Sequence, residues 1–455
     1  MLYALGVLIF AVGLLLSIAL HEVGHLVPAK KFGVKVTQYM VGFGPTVWSR
    51  RKGDTEYGLK AVPLGGYIRM IGMVPPRTDG TRSRWPRRMA SAVEDFRNAS
   101  RAEVEPGDED RQFYRLTPGK KMIVMLGGPT MNLLIYLVLT VILLSTLGTR
   151  HDDATTTVSA VVKCVVPANS SQAANDSCPA NANPAPAYNV LKPGDVIVAI
   201  DGTRIVTWDD AVAIVEQSAG KPLSMTVRRN GVEQQLSITP VRNLKYVGST
   251  TKTKEAGYLG VSPQIHSYYA ALPVTQVPGY IGDQIGQGVS AIGSYPSKIA
   301  SLWGTVFEGK PRDPTGAIGV VGIGRLGGDI AQSNVFNAQD KAFALISLLA
   351  TVNLLLFFFN LLPLLPLDGG HVAGALVEAA KRGRARLRER AMAARGAGDA
   401  SDPDAAKAAA AARRRQIYVD TAQMVPVMYA VASVLILVTL LVVYADIVKP
   451  VTLGG

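Results

Sequence analysis

Four apolar segments, each long enough to cross a lipid bilayer, most strongly restrict what this chain can fold into. A sliding hydropathy profile places them at about 2–24, 122–147, 342–364 and 424–447. A helix rises ~1.5 Å per residue, so about 20 apolar residues span the ~30 Å hydrocarbon layer. The backbone finds no water there and must satisfy its hydrogen bonds internally, which favours helices. The sequence therefore predicts a polytopic α-helical membrane protein with about four transmembrane helices.

The distribution of charge predicts how these helices are oriented. Residues 26–121 contain 19 Lys/Arg against 10 Asp/Glu, and residues 372–423 contain 11 against 6. Residues 149–340 are balanced, with 15 of each. Basic loops stay on the cytoplasmic side, so we expect the first two segments inside and the third outside, with both termini outside. These loops account for the net charge of +13, and we expect no nucleic-acid partner.

The first apolar segment ends in a motif of metal-binding type. Its residues are His21-Glu22-Val23-Gly24-His25. Two histidines four positions apart lie on one helical face and can bind one metal ion, and the adjacent Glu22 can activate a water as general base. Residues 2–20 before the motif carry no charge, and ionisable residues at membrane depth are usually functional. The alternative is a helix end with two interfacial histidines and a glutamate that extends toward water.

A catalytic zinc site usually has three protein ligands and one position for water, so a third ligand is required. Cys164 and Cys178 lie in a polar stretch far from the apolar segments. Asp368 closes the third apolar segment, within the Leu-, Pro- and Gly-rich stretch 360–371. By the predicted orientation, the first and third segments both run inward and reach the same leaflet. Asp368 is therefore the favoured third ligand, although Asp-Gly-Gly after prolines is also ordinary turn chemistry.

Motifs spread along the chain resemble those of the site-2 protease family of intramembrane zinc metalloproteases. The resemblance is to the bacterial branch that contains the regulator-of-sigma-E protease, in a single-PDZ, actinobacterial-like form. The motifs that carry it are the His-Glu motif at 21–25, Gly42-Phe43-Gly44-Pro45, Pro63-Leu64-Gly65-Gly66-Tyr67-Ile68-Arg69-Met70, Gly127-Gly128-Pro129, Asn132, Gly257-Tyr258-Leu259-Gly260-Val261 and the stretch 360–371. Together they extend over most of the chain.

The resemblance implies roles for the residues of the predicted metal site. His21, His25 and Asp368 would ligate Zn²⁺, and Glu22 would activate the attacking water. Asn360 would hold the substrate or the developing oxyanion, a role suited to an amide donor in a dry site. The predicted catalytic residues are thus Glu22 and Asn360.

Four neighbouring residues receive weaker assignments. Asn132 belongs either to the site or to an interhelical hydrogen bond, and we favour the hydrogen bond. His371 is expected to bond a neighbouring loop, because three ligands are already supplied. Asn353 precedes Asn360 by seven residues, farther than the equivalent asparagine of the Gram-negative relatives, so no role is carried onto it. Pro366 is displaced by one position from the pattern of that branch.

Residues 34–71 alternate apolar and polar side chains between Gly-rich turns, which predicts a membrane-associated β-region over 29–74. A strand edge beside the active site could pair with an extended substrate, so Gly65, Gly66 and Tyr67 are predicted to bind substrate. The alternative is a purely structural hairpin. Residues 75–118 are rich in Pro, Arg and acidic side chains, and we expect a flexible cytoplasmic loop there.

The external segment contains one compact pattern over 155–262. A Pro-Gly turn, a strand, a helix with a capping-box sequence and an Asn-Gly hairpin follow in an order that resembles a PDZ domain. The resemblance implies a carboxylate-binding loop formed by Tyr258, Leu259, Gly260 and Val261. An insert at 164–187 is expected to be disordered. Cys164 and Cys178 could form a disulfide there, because disulfides persist outside the cell, and free thiols are the alternative.

The remaining boundaries follow from these segments. The transmembrane helices are assigned to 1–28, 119–148, 341–374 with its Leu-Asp-Gly-Gly-His motif, and 424–448. Residues 263–340 are expected to form an external amphipathic helix and loop. Residues 375–423 are expected to be a cytoplasmic Ala/Arg-rich linker that could also bind anionic lipid headgroups.

The family resemblance implies a multi-pass protein of the cell (inner) membrane that cuts single-pass membrane proteins, usually after a first cleavage by another protease. Anti-sigma factors and remnant signal peptides are the expected substrate types. Two alternatives remain at this stage. A catalytically silent PDZ-bearing scaffold would have lost Glu22 or a ligand, and neither is lost. A metal transporter would show structural repeats and polar residues at several depths.

Overall fold

The computed structural model describes residues 1–76, 85–165, 178, 182–246, 253–309, 312–313, 316–394 and 417–451. They belong to two compact units. The first unit combines Met1–Leu147 with Leu272–Gly455, and the second is Gly148–Ala271. The range predicted for the PDZ domain, 155–262, lies inside the second unit.

Nine helices and ten strands are numbered here in chain order within the described residues. They are α1 (Leu2–Lys31), β1 (Val36–Lys52), β2 (Thr55–Met70), α2 (Arg87–Ala102), α3 (Pro118–Ile142), β3 (Thr149–Val161), β4 (Val196–Ile200), β5 (Thr203–Arg204), α4 (Trp208–Gln217), β6 (Leu223–Arg229), β7 (Val232–Ile238), β8 (Val241–Tyr246), β9 (Thr253–Tyr258), β10 (Val261–Ala270), α5 (Val277–Phe307), α6 (Val320–Gln332), α7 (Ala338–Leu361), α8 (Asp368–Ala394) and α9 (Val425–Val448).

Four helical stretches of the described chain are long and apolar enough to cross a membrane. They are Leu2–Lys31, Pro118–Leu147, Ala338–Leu361 and Thr421–Val448. The chain is therefore a membrane protein with four candidate spans, as its hydropathy predicts. The first helix is longer than the predicted 1–28. It continues past Pro28 and ends with two lysines in its last turn. Cations there interact favourably with the negative end of the helix dipole.

Strands β1 and β2 form one antiparallel sheet in which each strand bends back on itself. The first part of β1 pairs with both parts of β2, since Val41 lies opposite Gly66 and also opposite Leu59. Bends occur at Gly42 (φ 92°) and Gly65 (φ 94°), in the left-handed region that glycine adopts without steric cost. The segment 66–70 is left as an edge, with no strand of the described chain on its other side.

The described part of 75–118 differs from the predicted flexible loop. It contains α2, and the buried guanidinium of Arg97 donates to the Pro75 carbonyl (2.7 Å) and to the Asp420 carboxylate (3.0 Å). The indole N–H of Trp85 donates to the Gln423 carbonyl at 2.7 Å. Two of these partners, Asp420 and Gln423, are more than 300 residues away along the chain. Local composition therefore could not reveal the contacts.

The range 375–423 also differs from the predicted linker, because α8 continues through its first part. Ala, Arg, Leu and Glu are strong helix formers, which explains this continuation. Within α8, the buried carboxylate of Glu378 forms ion pairs with Lys121 and Arg382, each at 2.7 Å. Residues 395–416 of the predicted linker lie outside the described residues.

The range 263–340 contains two helices, α5 and α6, where one amphipathic helix and a loop are predicted. The N-terminus of α6 is fixed by the buried carboxylate of Asp446 on α9, which accepts the backbone N–H groups of Gly319 (2.8 Å) and Gly322 (2.9 Å). The guanidinium of Arg312 donates to the same carboxylate at 3.0 Å. An anion at a helix N-terminus is favoured by the helix dipole, so this contact joins α6 to α9.

The second unit is a small α+β structure around one sheet. Its strand order is β10-β3-β4-β6-β7, β5 pairs with β4, and β8 and β9 form a separate hairpin. Helix α4 begins with the capping box predicted from the sequence, in which Thr207 and Asp210 bond each other's backbone N–H groups. Burial would raise the pKa of the Asp195 carboxyl, but two hydrogen bonds from Arg229 hold that pKa below its usual value.

The insert predicted at 164–187 lies mainly outside the described residues. Its described end differs from a disordered loop, because Ala185 and Ala187 are buried against the sheet of the second unit. The structure joins Cys164 and Cys178 by a disulfide, with Cα atoms 5.9 Å apart.

Candidate metal centre

Helix α1 brings the two histidines of the first motif together. His21 and His25 are four residues apart on a continuous helix, so their rings lie on one face. Their Nε2 atoms are 3.2 Å apart. His25 and Glu22 are buried, with 5% and 8% of their surface exposed.

Asp368, the first residue of α8, completes a group of three ligand-type atoms. Its Oδ2 lies 3.5 Å from the Nε2 of His21 and 3.3 Å from the Nε2 of His25. Ligands bound to Zn²⁺ at 2.0–2.1 Å lie about 3.3 Å apart at tetrahedral angles. The three edges of this triangle, 3.2, 3.3 and 3.5 Å, therefore match three corners of a zinc tetrahedron.

The other ring nitrogen of His25 is fixed by helix α3. Its Nδ1 lies 2.7 Å from the Val124 carbonyl oxygen. A carbonyl can only accept, so Nδ1 carries the proton and the Nε2 lone pair is free for a metal. The Nδ1 of His21 is equally buried and has no hydrogen-bond partner in the described chain.

Glycines allow α3 to approach α1 closely beside this group. A Cβ atom on Gly127 would lie 2.0 Å from the Gly24 carbonyl oxygen, and one on Gly24 would lie 2.2 Å from the Gly127 oxygen. A Cβ atom on Gly128 would lie 2.2 Å from the Nε2 of His25 and 2.7 Å from the Nε2 of His21. A side chain at position 128 would therefore collide with both ligand-type nitrogens, and only glycine leaves the space beside them open.

The sequence alone does not reveal this role of Gly128, which enters there only as a member of the motif Gly127-Gly128-Pro129. Its one local signal is a pair of adjacent glycines inside an apolar span. Glycine inside a helix costs about 1 kcal/mol relative to alanine, so such a pair indicates a close approach of some kind. Only the fold shows what approaches it.

A cavity of about 330 Å³ opens at the three ligand-type residues. Its lining includes His21, Glu22, His25, Gly66, Tyr67, Ile68, Met70, Asn360, Pro366, Asp368 and His371. The edge segment 66–70 thus faces the carboxylate of Glu22, which accepts a backbone hydrogen bond from Ile68. A Cβ atom on Gly66 would lie only 3.0 Å from the Glu22 Cγ.

Of the residues that the sequence assigns to this site, all except Gly65 line the cavity. Gly65 forms the bend that precedes the edge and contacts the Phe43 ring. Asn353 is fully buried, and its Nδ2 donates to the Ser17 hydroxyl (3.0 Å) and to the Leu349 carbonyl (2.9 Å). Asn353 therefore joins α7 to α1 and does not reach the cavity.

His371 lies one turn after Asp368 on α8 and lines the cavity without belonging to the triangle of ligand-type atoms. Burial lowers the pKa of its imidazole, so His371 is neutral at physiological pH. It is not among the three residues that could hold a metal together.

The second unit contains a separate groove of about 240 Å³ between α4 and the segment before β10. All four residues predicted for the carboxylate-binding loop, Tyr258, Leu259, Gly260 and Val261, line it. Apolar residues of α4 and the sheet form the opposite wall, among them Trp208, Val212, Val215 and Met225. Gly257 allows this segment to approach α4, because a Cβ there would lie 2.0 Å from the Val215 carbonyl oxygen.

Comparison with known proteins is consistent with this geometry. The model of peptidase family M50 matches residues 9–397. The chain is 33% identical over 466 residues to zinc metalloprotease Rip1 of Mycobacterium tuberculosis (strain ATCC 25618 / H37Rv), with both chains covered completely. It is 28% identical to metalloprotease MmpA of Caulobacter vibrioides, covering 83% of this chain and 89% of the relative. It is 25% identical to zinc metalloprotease RasP of Geobacillus kaustophilus, covering 79% and 86%.

Proposed function

The chain belongs to peptidase family M50, the site-2 protease family of zinc metalloproteases, and we propose that it cuts peptide bonds inside the membrane. The observation that carries this proposal is the triangle formed by His21, His25 and Asp368 beside the buried carboxylate of Glu22. Two of these ligands and Glu22 belong to a candidate membrane span. Ionisable residues at such a position are costly unless they serve a function.

In the proposed mechanism, His21, His25 and Asp368 hold the zinc ion. When bound, zinc polarises the scissile carbonyl and makes a water nucleophilic at neutral pH. Glu22 accepts the proton of the attacking water and passes it to the nitrogen of the leaving amine as the C–N bond breaks. The amide of Asn360 donates to the developing oxyanion.

The edge segment 66–70 is proposed to present the substrate to this site. A peptide bond within a helix is shielded by the helix's own hydrogen bonds, so the substrate must be extended before cleavage. The unpaired edge offers backbone N–H and C=O groups to an added strand. Gly66 and Tyr67 lie where that strand would pass Glu22, and Gly65 makes the bend that ends the edge.

The orientation of the protein is proposed from its charges. The basic ranges 26–121 and 372–423 are placed in the cytoplasm by the positive-inside rule. The metal ligands then lie near the cytoplasmic leaflet of the cell membrane, and the second unit lies outside.

We further propose that the second unit is a PDZ domain that limits access of substrates. Support comes from its sheet with α4 beside it and from the groove lined by Tyr258, Leu259, Gly260 and Val261. Substrates would be single-pass membrane proteins, such as anti-sigma factors or remnant signal peptides, already shortened outside by another protease. A bulky external domain would be excluded, whereas a trimmed remnant would enter.

Metal removal tests the proposed activity directly. The purified full-length protein, reconstituted in lipid, should cleave a single-pass reporter at a bond within or next to its apolar segment. A chelator should abolish cleavage, and one equivalent of Zn²⁺ should restore it, because the ion supplies the nucleophile. Fragment masses locate the cut. Cleavage only in the reporter's water-exposed tail, or full activity after zinc removal, would contradict the proposal.

Deletion of 155–262 tests the role of the second unit. If this unit excludes bulky substrates, the deletion variant should cut untrimmed and trimmed reporters at similar rates, whereas the intact protein should prefer trimmed ones. The measurement is the ratio of the two cleavage rates. Loss of cleavage of trimmed reporters would instead indicate obligatory docking in the groove, and an unchanged ratio would contradict exclusion.

A further inference from the structure

Within the described residues, two buried polar atoms on facing helices beside the metal centre have no hydrogen-bond partner. One is the Nδ1 of His21 on α1, and the other is the Oδ1 of Asn132 on α3. Asn132 is 1% exposed, and neither atom has a hydrogen-bond partner in the described chain. A buried polar atom without a partner costs about 1–3 kcal/mol, so this pair requires an explanation.

The two atoms are complementary in chemistry. If the Nε2 of His21 binds the metal, its Nδ1 must carry a proton and needs an acceptor. The amide oxygen of Asn132 is an acceptor. His25 already has its acceptor, the Val124 carbonyl on the same helix α3, whereas the described chain supplies none for His21.

The contacts between α1 and α3 place the two side chains close together. His25 meets Val124, Gly24 meets Gly127 and His21 meets Gly128, so the helices are antiparallel. Asn132 is four residues beyond Gly128 and therefore lies on the same face, about 6 Å further along the axis. The position of a Cβ on Gly128 is 2.7 Å from the Cε1 of His21, the ring carbon between Nδ1 and Nε2.

The general direction of helical side chains turns the two groups toward each other. Side chains lean toward the N-terminus of their own helix. Because α1 and α3 are antiparallel, His21 leans toward the level of Asn132 and Asn132 leans toward the level of His21. The two atoms form no direct hydrogen bond, so a bridging group is needed between them.

We propose that Asn132 is the positioning residue of His21: one buried water accepts the Nδ1–H of the imidazole and donates to the Oδ1 of Asn132. This fixes the tautomer and the ring orientation, so that the Nε2 lone pair points at the metal. The inference rests on the proposed zinc site and adds a residue to it. The sequence left Asn132 either in the site or in an interhelical hydrogen bond and favoured the second, and this proposal takes the first.

Asn353 provides a matched control within the same unit. It is also a fully buried asparagine with an unpartnered Oδ1 within the described residues. However, α7 runs parallel to α1, since Asn353 meets Ser17 and the chain then reaches Asp368 beside His21. Its side chain therefore leans away from the metal level.

The test is zinc affinity, measured on the full-length protein in detergent by competition with a chromophoric chelator. Asn132→Leu should weaken zinc binding about 10–100-fold, the usual effect of removing a partner of a metal-binding histidine. Asn132→Asp should bind zinc at least as tightly as the parent, because a carboxylate accepts the same hydrogen bond. Asn353→Leu should leave the affinity unchanged. Asn132→Ala serves as a second acceptor-free variant if the leucine variant does not fold.

Rescue by aspartate separates positioning from a structural role. A structural role of the Asn132 amide group would be lost in both the leucine and the aspartate variants, because neither has an N–H donor. The visible spectrum of the Co²⁺-substituted protein should change in Asn132→Leu and stay unchanged in Asn353→Leu.

Unchanged zinc affinity in both acceptor-free variants, or equal losses in the leucine and aspartate variants, would overturn the inference. The proposed ligand set is tested separately by His21→Ala. If that variant kept full zinc affinity, the proposed site itself would be wrong. If it lost zinc while Asn132→Leu did not, only the role of Asn132 would fail.

Discussion

Glu22→Gln is expected to reduce peptide cleavage by about 10²–10⁴-fold while zinc stays bound, the usual cost of removing a general base. Glutamine keeps the size of the side chain and its ability to accept the Ile68 backbone hydrogen bond. It cannot take a proton from water. Since the triangle of His21, His25 and Asp368 does not include Glu22, the substitution should leave the ligands in place.

The measurement is single-turnover cleavage of the membrane reporter, together with zinc content of the same sample. Glu56→Gln is a matched control, because Glu56 is a carboxylate on β2 that accepts a hydrogen bond from Gln38 and does not line the cavity. It should cleave at the parental rate. Near-normal turnover by Glu22→Gln would show that another group acts as the base.

Gly128→Ala is expected to abolish zinc binding, although it adds only one methyl group. That methyl carbon would lie 2.2 Å from the Nε2 of His25 and 2.7 Å from the Nε2 of His21. Both neighbours are ring nitrogens of a buried group and cannot move aside without opening the triangle. The ion and the methyl group would compete for the same space. We therefore expect the zinc affinity to fall by at least about 100-fold, the upper end of the losses caused by disturbing ligand orientation.

Gly119→Ala is the matched control on the same helix, because a Cβ there has no neighbour within 4 Å. It should bind zinc and cleave as the parent does. Zinc content by metal analysis and thermal unfolding of the metal-free protein separate loss of the site from loss of the fold. Full zinc content in a folded Gly128→Ala variant would place the ion away from His21 and His25.

Local patterns in the sequence are sufficient to predict the apolar spans and the part of the site that lies on the first helix. An uncharged run followed by His21, Glu22 and His25 at helical spacing places these groups on one helix at one depth. Counting basic residues in the loops adds Asp368 at the same leaflet. The structure brings all three ligand-type residues together. The sequence could predict this because helical periodicity and charge asymmetry are properties of neighbouring residues that tertiary packing does not alter.

Other features depended on contacts between residues far apart in the chain. The bends at Gly42 and Gly65 return each strand to its partner and expose the edge 66–70. The range 75–118 has the composition of a flexible loop, yet Arg97 is buried against Asp420. Amino-acid composition tells how polar a segment is. Whether that segment folds depends on whether distant residues form ion pairs and hydrogen bonds with its charged side chains.

The sequence by itself therefore determined a membrane protein with a histidine-glutamate motif and an aspartate at matching depths. Only the tertiary structure decided that a side chain at position 128 would collide with both histidine rings and that the Val124 carbonyl fixes His25. It also buried Asn132 one turn beyond Gly128. The physical reason is that these three act through the crossing of α1 and α3. A glycine, a backbone carbonyl and a buried amide have no local signature that tells which atoms of another helix they will meet.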